Sequence, residues 1–204
     1  SDFDARIAYI VRSIDIRSGI VLEKLYFEAV KLCCPNLQVW NEEEFKISRH
    51  AMNIASDQDN KDILDTECPY GQAVKIKNRP KTRQIDLLTY NKEKKLICSY
   101  EIKRGGGHHD SEKQEKILEN LFAVRMLLKS YGQSKGLKIN KARTYIISHM
   151  NTELFSPNYR FFQINGNEVN EHFGTNVIAA LTDGWNYFNN EFKKRFNALK
   201  KLAN

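Results

Sequence analysis

The 204 residues suffice for one domain with a single substantial core, and 41% apolar with 28% charged residues excludes a disordered chain. Lys and Arg outnumber Asp and Glu by 32 to 25, and the resulting net charge of +7 favours polyanionic partners, nucleic acid or an anionic membrane. No run approaches the roughly 20 apolar residues of a membrane span, the N-terminal SDFDARIAYIVRSIDIRSG is too punctuated by charge for a signal peptide, and four cysteines without a CxxC pair read as packed thiols in a reducing, cytoplasmic compartment.

From Gly19 to Cys33, the apolar residues Leu22, Leu25, Tyr26, Ala29 and Cys33 recur at helical spacing, and Pro35 stops the run. Residues 36–73 are predicted to hold a short strand near Leu37–Trp40, polar irregular segments and room for one more helix. Lys75–Arg83 reads as extended. Two strongly apolar strands follow, Ile85–Tyr90 and Leu96–Lys103, and Gly105–Gly107 ends the second. The sequence Ser111-Glu112-Lys113-Gln114 has the pattern of a capping box. It opens a helix whose inward face is Ile117, Leu121, Val124, Leu128 and Tyr131. Residues 143–148 and Tyr159–Ile164 are predicted as strands. A long amphipathic helix closes the chain, with Ile178, Leu181, Trp185, Phe188, Phe192, Phe196 and Leu199 on its apolar face. Without an internal repeat or a linker, the expectation is one domain over residues 1–204, of α/β class, with helices packed on a mixed central sheet.

The two central strands carry acid where a half-buried strand is normally bland. Side chains alternate along a strand, so Glu101 and Lys103 share a face with Ile97 and Ser99, while Leu96, Cys98, Tyr100 and Ile102 form an apolar face toward the core. In a hairpin turning at Glu93-Lys94, Asp86 falls opposite Glu101, with Cβ atoms about 5 Å apart. Two facing carboxylates repel unless a cation lies between them. That cation is Lys103 if the hairpin is a plain surface feature, or a metal if it is a site. On the first helix, Glu28 has Lys24 and Lys31 within one turn, the surroundings of a solvated glutamate. Glu23 has only Gly19, Ile20, Tyr26 and Phe27 at those offsets, so a lysine from elsewhere or a metal must stabilise it.

Helix glutamate, strand aspartate, a strand ending in ExK and then a helix is an order that resembles the PD-(D/E)xK nuclease superfamily. The resemblance spans about Gly19 to Tyr131. Ile85 stands where that family has a proline before its aspartate. It implies a restriction-endonuclease-like core with Glu23, Asp86, Glu101 and Lys103 as catalytic residues, the three acids as metal ligands, and Gln114 as an accessory residue near the site. The cofactor implied is Mg²⁺, with Mn²⁺ able to substitute. The chemistry agrees, since Mg²⁺ takes carboxylate oxygens, keeps several waters and binds phosphate oxygens. The expected activity is phosphodiester hydrolysis in nucleic acid, foremost as a DNA endonuclease of restriction type on duplex DNA, with a homodimer left open and no membrane partner. The alternatives are a basic nucleic-acid-binding module that kept the fold without the chemistry, and a protein-interaction domain.

Lys75, Lys77, Arg79, Lys81 and Arg83 alternate with other residues and lead to Asp86. On an extended chain they line one face, either as a phosphate track or as an edge protected by charge. Arg104 and the following glycines suit backbone approach to nucleic acid. His108 and His109 read as solvated loop residues, and Lys193, Lys194, Arg195, Lys200 and Lys201 as a solvated helix face. Phe161, Phe162 and Trp185 are expected in the core.

Overall fold

The computed structural model describes residues 2–56, 65–71, 75–76, 79–105 and 111–203. Helix α1 (Asp2–Cys33) starts well before Gly19. Ile7, Ile10, Val11 and Ile14 continue the helical spacing backwards, and a single glycine weakens a helix without ending it. Strand β1 (Leu37–Lys46) extends through the charged Asn41–Glu44, which reads as a loop in sequence. It is an edge strand, so those charges can stay in water. Helix α2 (Arg49–Ala55) follows, its first turn capped by the Ser48 hydroxyl accepting from the Ala51 amide.

The run Lys75–Arg83 is not one extended strand. Short strands β2 (Lys75–Ile76) and β3 (Arg79–Pro80) pair antiparallel, Lys75 with Pro80 and Ile76 with Arg79, so the chain reverses between them. Both arms of a two-residue hairpin are extended, and alternation in the sequence cannot reveal the reversal. Lys77 lies outside the described residues, and Lys75 and Arg79 belong to opposed arms rather than to one strand.

Strands β4 (Thr82–Asn91) and β5 (Leu96–Lys103) are the expected hairpin. Helix α3 (Ser111–Ser134) crosses over to β6 (Lys141–Ser148), which runs parallel to β5. The cap expected at Ser111 rests on a side chain outside the described residues, and His108 and His109 lie outside them as well. The strand expected over Tyr159–Ile164 is instead a 3₁₀ turn, Pro157–Phe162, followed by the three-residue β7 (Gln163–Asn165). Pro157 in the first turn favours the helical start, which needs no amide at that position. Helices α4 (Val169–Phe173) and α5 (Val177–Ala203) complete the chain.

The five strands form one mixed sheet in the order β1-β4-β5-β6-β7, with β1, β4 and β5 antiparallel and β5, β6 and β7 parallel. Both faces are buried, not one. Ile97 and Leu88 lie with Leu121, Leu127, Leu128 and Tyr131 of α3. Cys98, Tyr100 and Ile102 lie with Leu22, Tyr26 and Val30 of α1 and Leu181 of α5. The class is therefore α/β, a five-stranded mixed sheet between helices. Phe162 is core as expected, but Phe161 is half exposed and Trp185 only half buried. All four cysteines are free thiols, with Cys34, Cys68 and Cys98 buried. Among the described residues, no helix is long and apolar enough to cross a membrane.

Candidate active site

The turn over residues 92–95 sets the β4–β5 register. Asn91 pairs with Leu96, Leu88 with Ser99 and Leu87 with Tyr100, the register that continues to Asp86 opposite Glu101. The ladder stops one pair short. Against β1, Trp40 faces Leu88 but Glu42 faces Ile85, so three steps of β4 match two of β1 and the bulge contains Asp86. Bulges re-aim side chains. Here Ile85 and Leu88 reach the same core cluster, and Leu87 the opposite one. The Asp86 side chain fills the gap in the ladder, its Oδ2 accepting the Ile102 amide at 2.8 Å.

Glu101 is mostly buried, with 17% of its side chain exposed, and it is held by two cations. Arg83 Nη2 donates to Oε2 at 2.5 Å and Lys103 Nζ lies 2.7 Å from Oε1. Lys103 thus neutralises Glu101 rather than Asp86. Burial alone would raise the pKa of Glu101, but Lys103 and then Arg83 outweigh it and hold the carboxyl below its usual range. Asp86 goes the other way. Burial raises it, the Ile102 amide opposes, and the Glu101 charge raises it further; the net direction is up. Glu23 is also raised, first by burial and then by the charge of Asp86, with Lys103 opposing and Glu101 adding. Three carboxylates from α1, β4 and β5 therefore share one electrostatic neighbourhood with Lys103. Glu28, one turn further along α1, is exposed.

The end of the sheet is tied down around these groups. The amides of His149 and Met150, just past β6, donate to the carbonyls of Lys103 and Arg104, both at 2.9 Å. Gly105 has φ 83, and a Cβ there would meet Thr152 Oγ1 at 3.0 Å, so the turn off β5 requires glycine. A 3.0 Å hydrogen bond joins the buried Tyr26 hydroxyl to His149 Nδ1. Tyr26 stands one turn after Glu23, so this bond fixes α1 against the strand ends beside the carboxylates. Sequence reading missed the pair, because a tyrosine on an apolar helix face and a histidine after a strand carry no pattern.

The basic residues are placed unequally. Arg83 belongs to the carboxylate cluster itself. The Lys81 amine lies against Met52 Sδ, and burial lowers its basicity. Arg104 is exposed and donates to Ser18 Oγ at 3.3 Å, linking the end of β5 to α1. Lys75 and Arg79 lie on opposite arms of the β2–β3 hairpin. Gln114 is half buried in the first turn of α3. A separate charged cleft of about 310 Å³, lined by Arg125, Lys129, Lys141 and Arg143 together with Asp65 and Glu67, sits at the far end of β6 and includes none of Glu23, Asp86 and Glu101.

As they stand, no three His, Cys, Asp or Glu side chains among the described residues are grouped to hold a metal. The donor set nevertheless fits a hard divalent cation. Asp86 and Glu23 are carboxylates whose charged forms are disfavoured first by burial and then by neighbouring carboxylate charge, and Oδ1 of Asp86 lies outside the Ile102 hydrogen bond. Comparison with family models, curated proteins and solved structures finds no match to this chain.

Proposed function

We propose that this chain is a metal-dependent nuclease with a restriction-endonuclease-like core of the PD-(D/E)xK type, hydrolysing phosphodiester bonds in nucleic acid and foremost in DNA. The observation that carries the reading is the shared field of Glu23, Asp86 and Glu101. A fold that brings two carboxylates with raised pKa values and a lysine to one sheet end stores an unfavourable arrangement, and a functional cation relieves it.

Asp86, Glu101 and Glu23 would hold Mg²⁺, which when bound would supply an activated water and offset charge on the phosphate. The chain's own groups do the rest. Asp86 is aimed by the bulge and by the Ile102 amide, which engages Oδ2 and leaves Oδ1 outside that bond. Lys103, on the same face of β5 as Glu101, is placed to orient the attacking water or to stabilise the extra charge of the transition state. The Tyr26–His149 bond holds Glu23 in register with the strands. Gln114 is kept as an accessory group, and Lys75, Lys77, Arg79, Lys81 and Arg104 as a distributed phosphate-contacting surface rather than a line.

One observation favours a second reading. Both oxygens of Glu101 are already satisfied by Arg83 and Lys103, which is the state a nucleic-acid-binding module without chemistry would keep. Incubating supercoiled plasmid, linear duplex, single-stranded DNA and RNA with the protein in Mg²⁺, Mn²⁺ or EDTA separates the two. Cleavage with either metal and none in EDTA is expected. Binding without cleavage on every substrate would leave the binding module.

A further inference from the structure

We infer that Arg83 is the group a divalent cation displaces from Glu101, and that its released guanidinium then becomes a phosphate-binding hand at the reacting end of the sheet. This rests on the nuclease reading above and assigns one residue a role within it.

The geometry carries the inference. Glu101 has two oxygens and each is taken, Oε2 by Arg83 at 2.5 Å and Oε1 by Lys103 at 2.7 Å. Each oxygen keeps a second lone pair, but a divalent ion bound there stands only about 4 Å from the guanidinium or ammonium already in contact, and like-charge repulsion works to drive one of them off. The two cations differ in how they are tethered. Lys103 is two residues along the same strand and the same face, so it stays beside Glu101 wherever that carboxylate turns. Arg83 reaches over from the neighbouring strand β4; both cations have water to move into, at 27% exposure for Arg83 and 38% for Lys103, so the tether and not exposure separates them. The displaced partner is therefore Arg83.

What the released group can do follows from its shape. A guanidinium offers a planar fork of donors that matches two phosphate oxygens, which a lysine ammonium cannot do. Arg83 is three residues before Asp86, so its reach keeps it beside the ligand carboxylates after release. The charges also balance. Ionised, the three carboxylates against Arg83 and Lys103 leave one negative charge. A divalent cation turns that into one positive charge, and one phosphodiester neutralises it. Metal entry thus converts a cation pair that satisfies Glu101 into a cationic seat for substrate.

The test reads binding, not turnover. Ca²⁺ alone is titrated calorimetrically into wild type, Arg83→Gln, Arg83→Lys and, as a charge control, Lys92→Gln in the β4–β5 turn. Affinity of each protein for a short duplex is then measured in Ca²⁺. Arg83→Gln should bind Ca²⁺ about tenfold tighter than wild type, the scale of one charge-assisted hydrogen bond removed from competition, and the duplex at least about tenfold more weakly. Arg83→Lys should keep the metal affinity near wild type yet still lose duplex affinity, because it restores the charge without the fork. Lys92→Gln should change neither. Equal or weaker Ca²⁺ binding by Arg83→Gln, with wild type binding normally, would overturn the competition and leave the nuclease reading standing. Tighter metal binding with unchanged duplex affinity would overturn the phosphate role. Absence of Ca²⁺ binding by both wild type and Arg83→Gln would end this inference and the metal-dependent reading together, whereas binding by Arg83→Gln alone would support it.

Discussion

The Asp86 carboxylate accepts the backbone amide of Ile102 at 2.8 Å, taking the place of a ladder bond where β4 and β5 part. One side chain therefore serves the sheet and the candidate site at once, and the two duties respond differently to substitution.

Asp86→Asn keeps an oxygen for the Ile102 amide and removes a charge that burial and Glu101 disfavour. Asp86→Ala removes the acceptor as well. At neutral pH, the first variant should be at least as stable as wild type, and the second less stable by about 1–3 kcal/mol, the cost of an unsatisfied buried amide. Urea denaturation of both variants checks this. Neither should cleave nucleic acid. If Asp86→Asn unfolds like Asp86→Ala, the charge is not a liability in the metal-free protein.

The pH dependence has a defined sign. Glu23 and Asp86 have folded pKa values above their unfolded ones, so the folded state binds the extra protons. Their contribution favours the metal-free fold at low pH and declines as pH rises from the ordinary carboxylate range through the raised values. Glu101 has the opposite sign. Its pairing with Lys103 and Arg83 stabilises above the ordinary range and is lost as pH falls through its depressed value. Metal affinity should fall steeply on acidification through the Glu23 and Asp86 titrations, and Asp86→Asn should flatten that profile. Calorimetric Ca²⁺ titrations across pH measure it, and a pH-independent affinity would remove both acids from the ligand set.

Glu23 and Glu28 lie five residues apart on one helix; Glu23 shares the field of Asp86, whereas Glu28 is exposed. Glu23→Gln should lower cleavage by at least about tenfold, while Glu28→Gln stays near wild type. Parallel single-turnover assays decide the matter. Equal rates would place Glu23 outside the site.

Lys103→Ala leaves the acids in place and removes the ammonium beside Glu101. The expected loss is about 100-fold in rate, roughly 3 kcal/mol of barrier, with duplex affinity little changed. Replacing Lys77 and Arg79 with Gln should do the reverse, weakening binding to all sequences and shrinking the salt slope by roughly 1 to 2 units without altering the chemical step. Cleavage and filter binding measured side by side would expose a swap of these effects.

The hairpin and its acids were legible because their signals are local. Alternation gives the strands, and the length of the turn gives the register that sets Asp86 against Glu101. Glu23 was legible by default, as the helix glutamate with no cation within a turn. What escaped depends on distant residues. The bulge at Asp86 shows only in how β4 meets β1, and Arg83 reads as one more cation in a basic run until its carboxylate is seen. The reversal between β2 and β3 hides for another reason, since both arms share the extended pattern of a single strand. Tyr159–Ile164 looks like a strand by composition, yet Pro157 and the short partner on β6 give it a helical turn first.

The bond between Tyr26 and His149 joins residues 123 positions apart, whereas Asp86 and Glu101 meet through one hairpin. Assembly of the site is therefore ordered by sequence distance: contacts across short loops form at low entropic cost and distant ones come later. During synthesis, the first helix leaves the ribosome long before the strand end that anchors it. A nascent chain halted between β5 and β6 holds the paired acids of the hairpin but lacks the His149 anchor beside Glu23. Completion of the carboxylate set thus waits on the last parallel strands of the sheet.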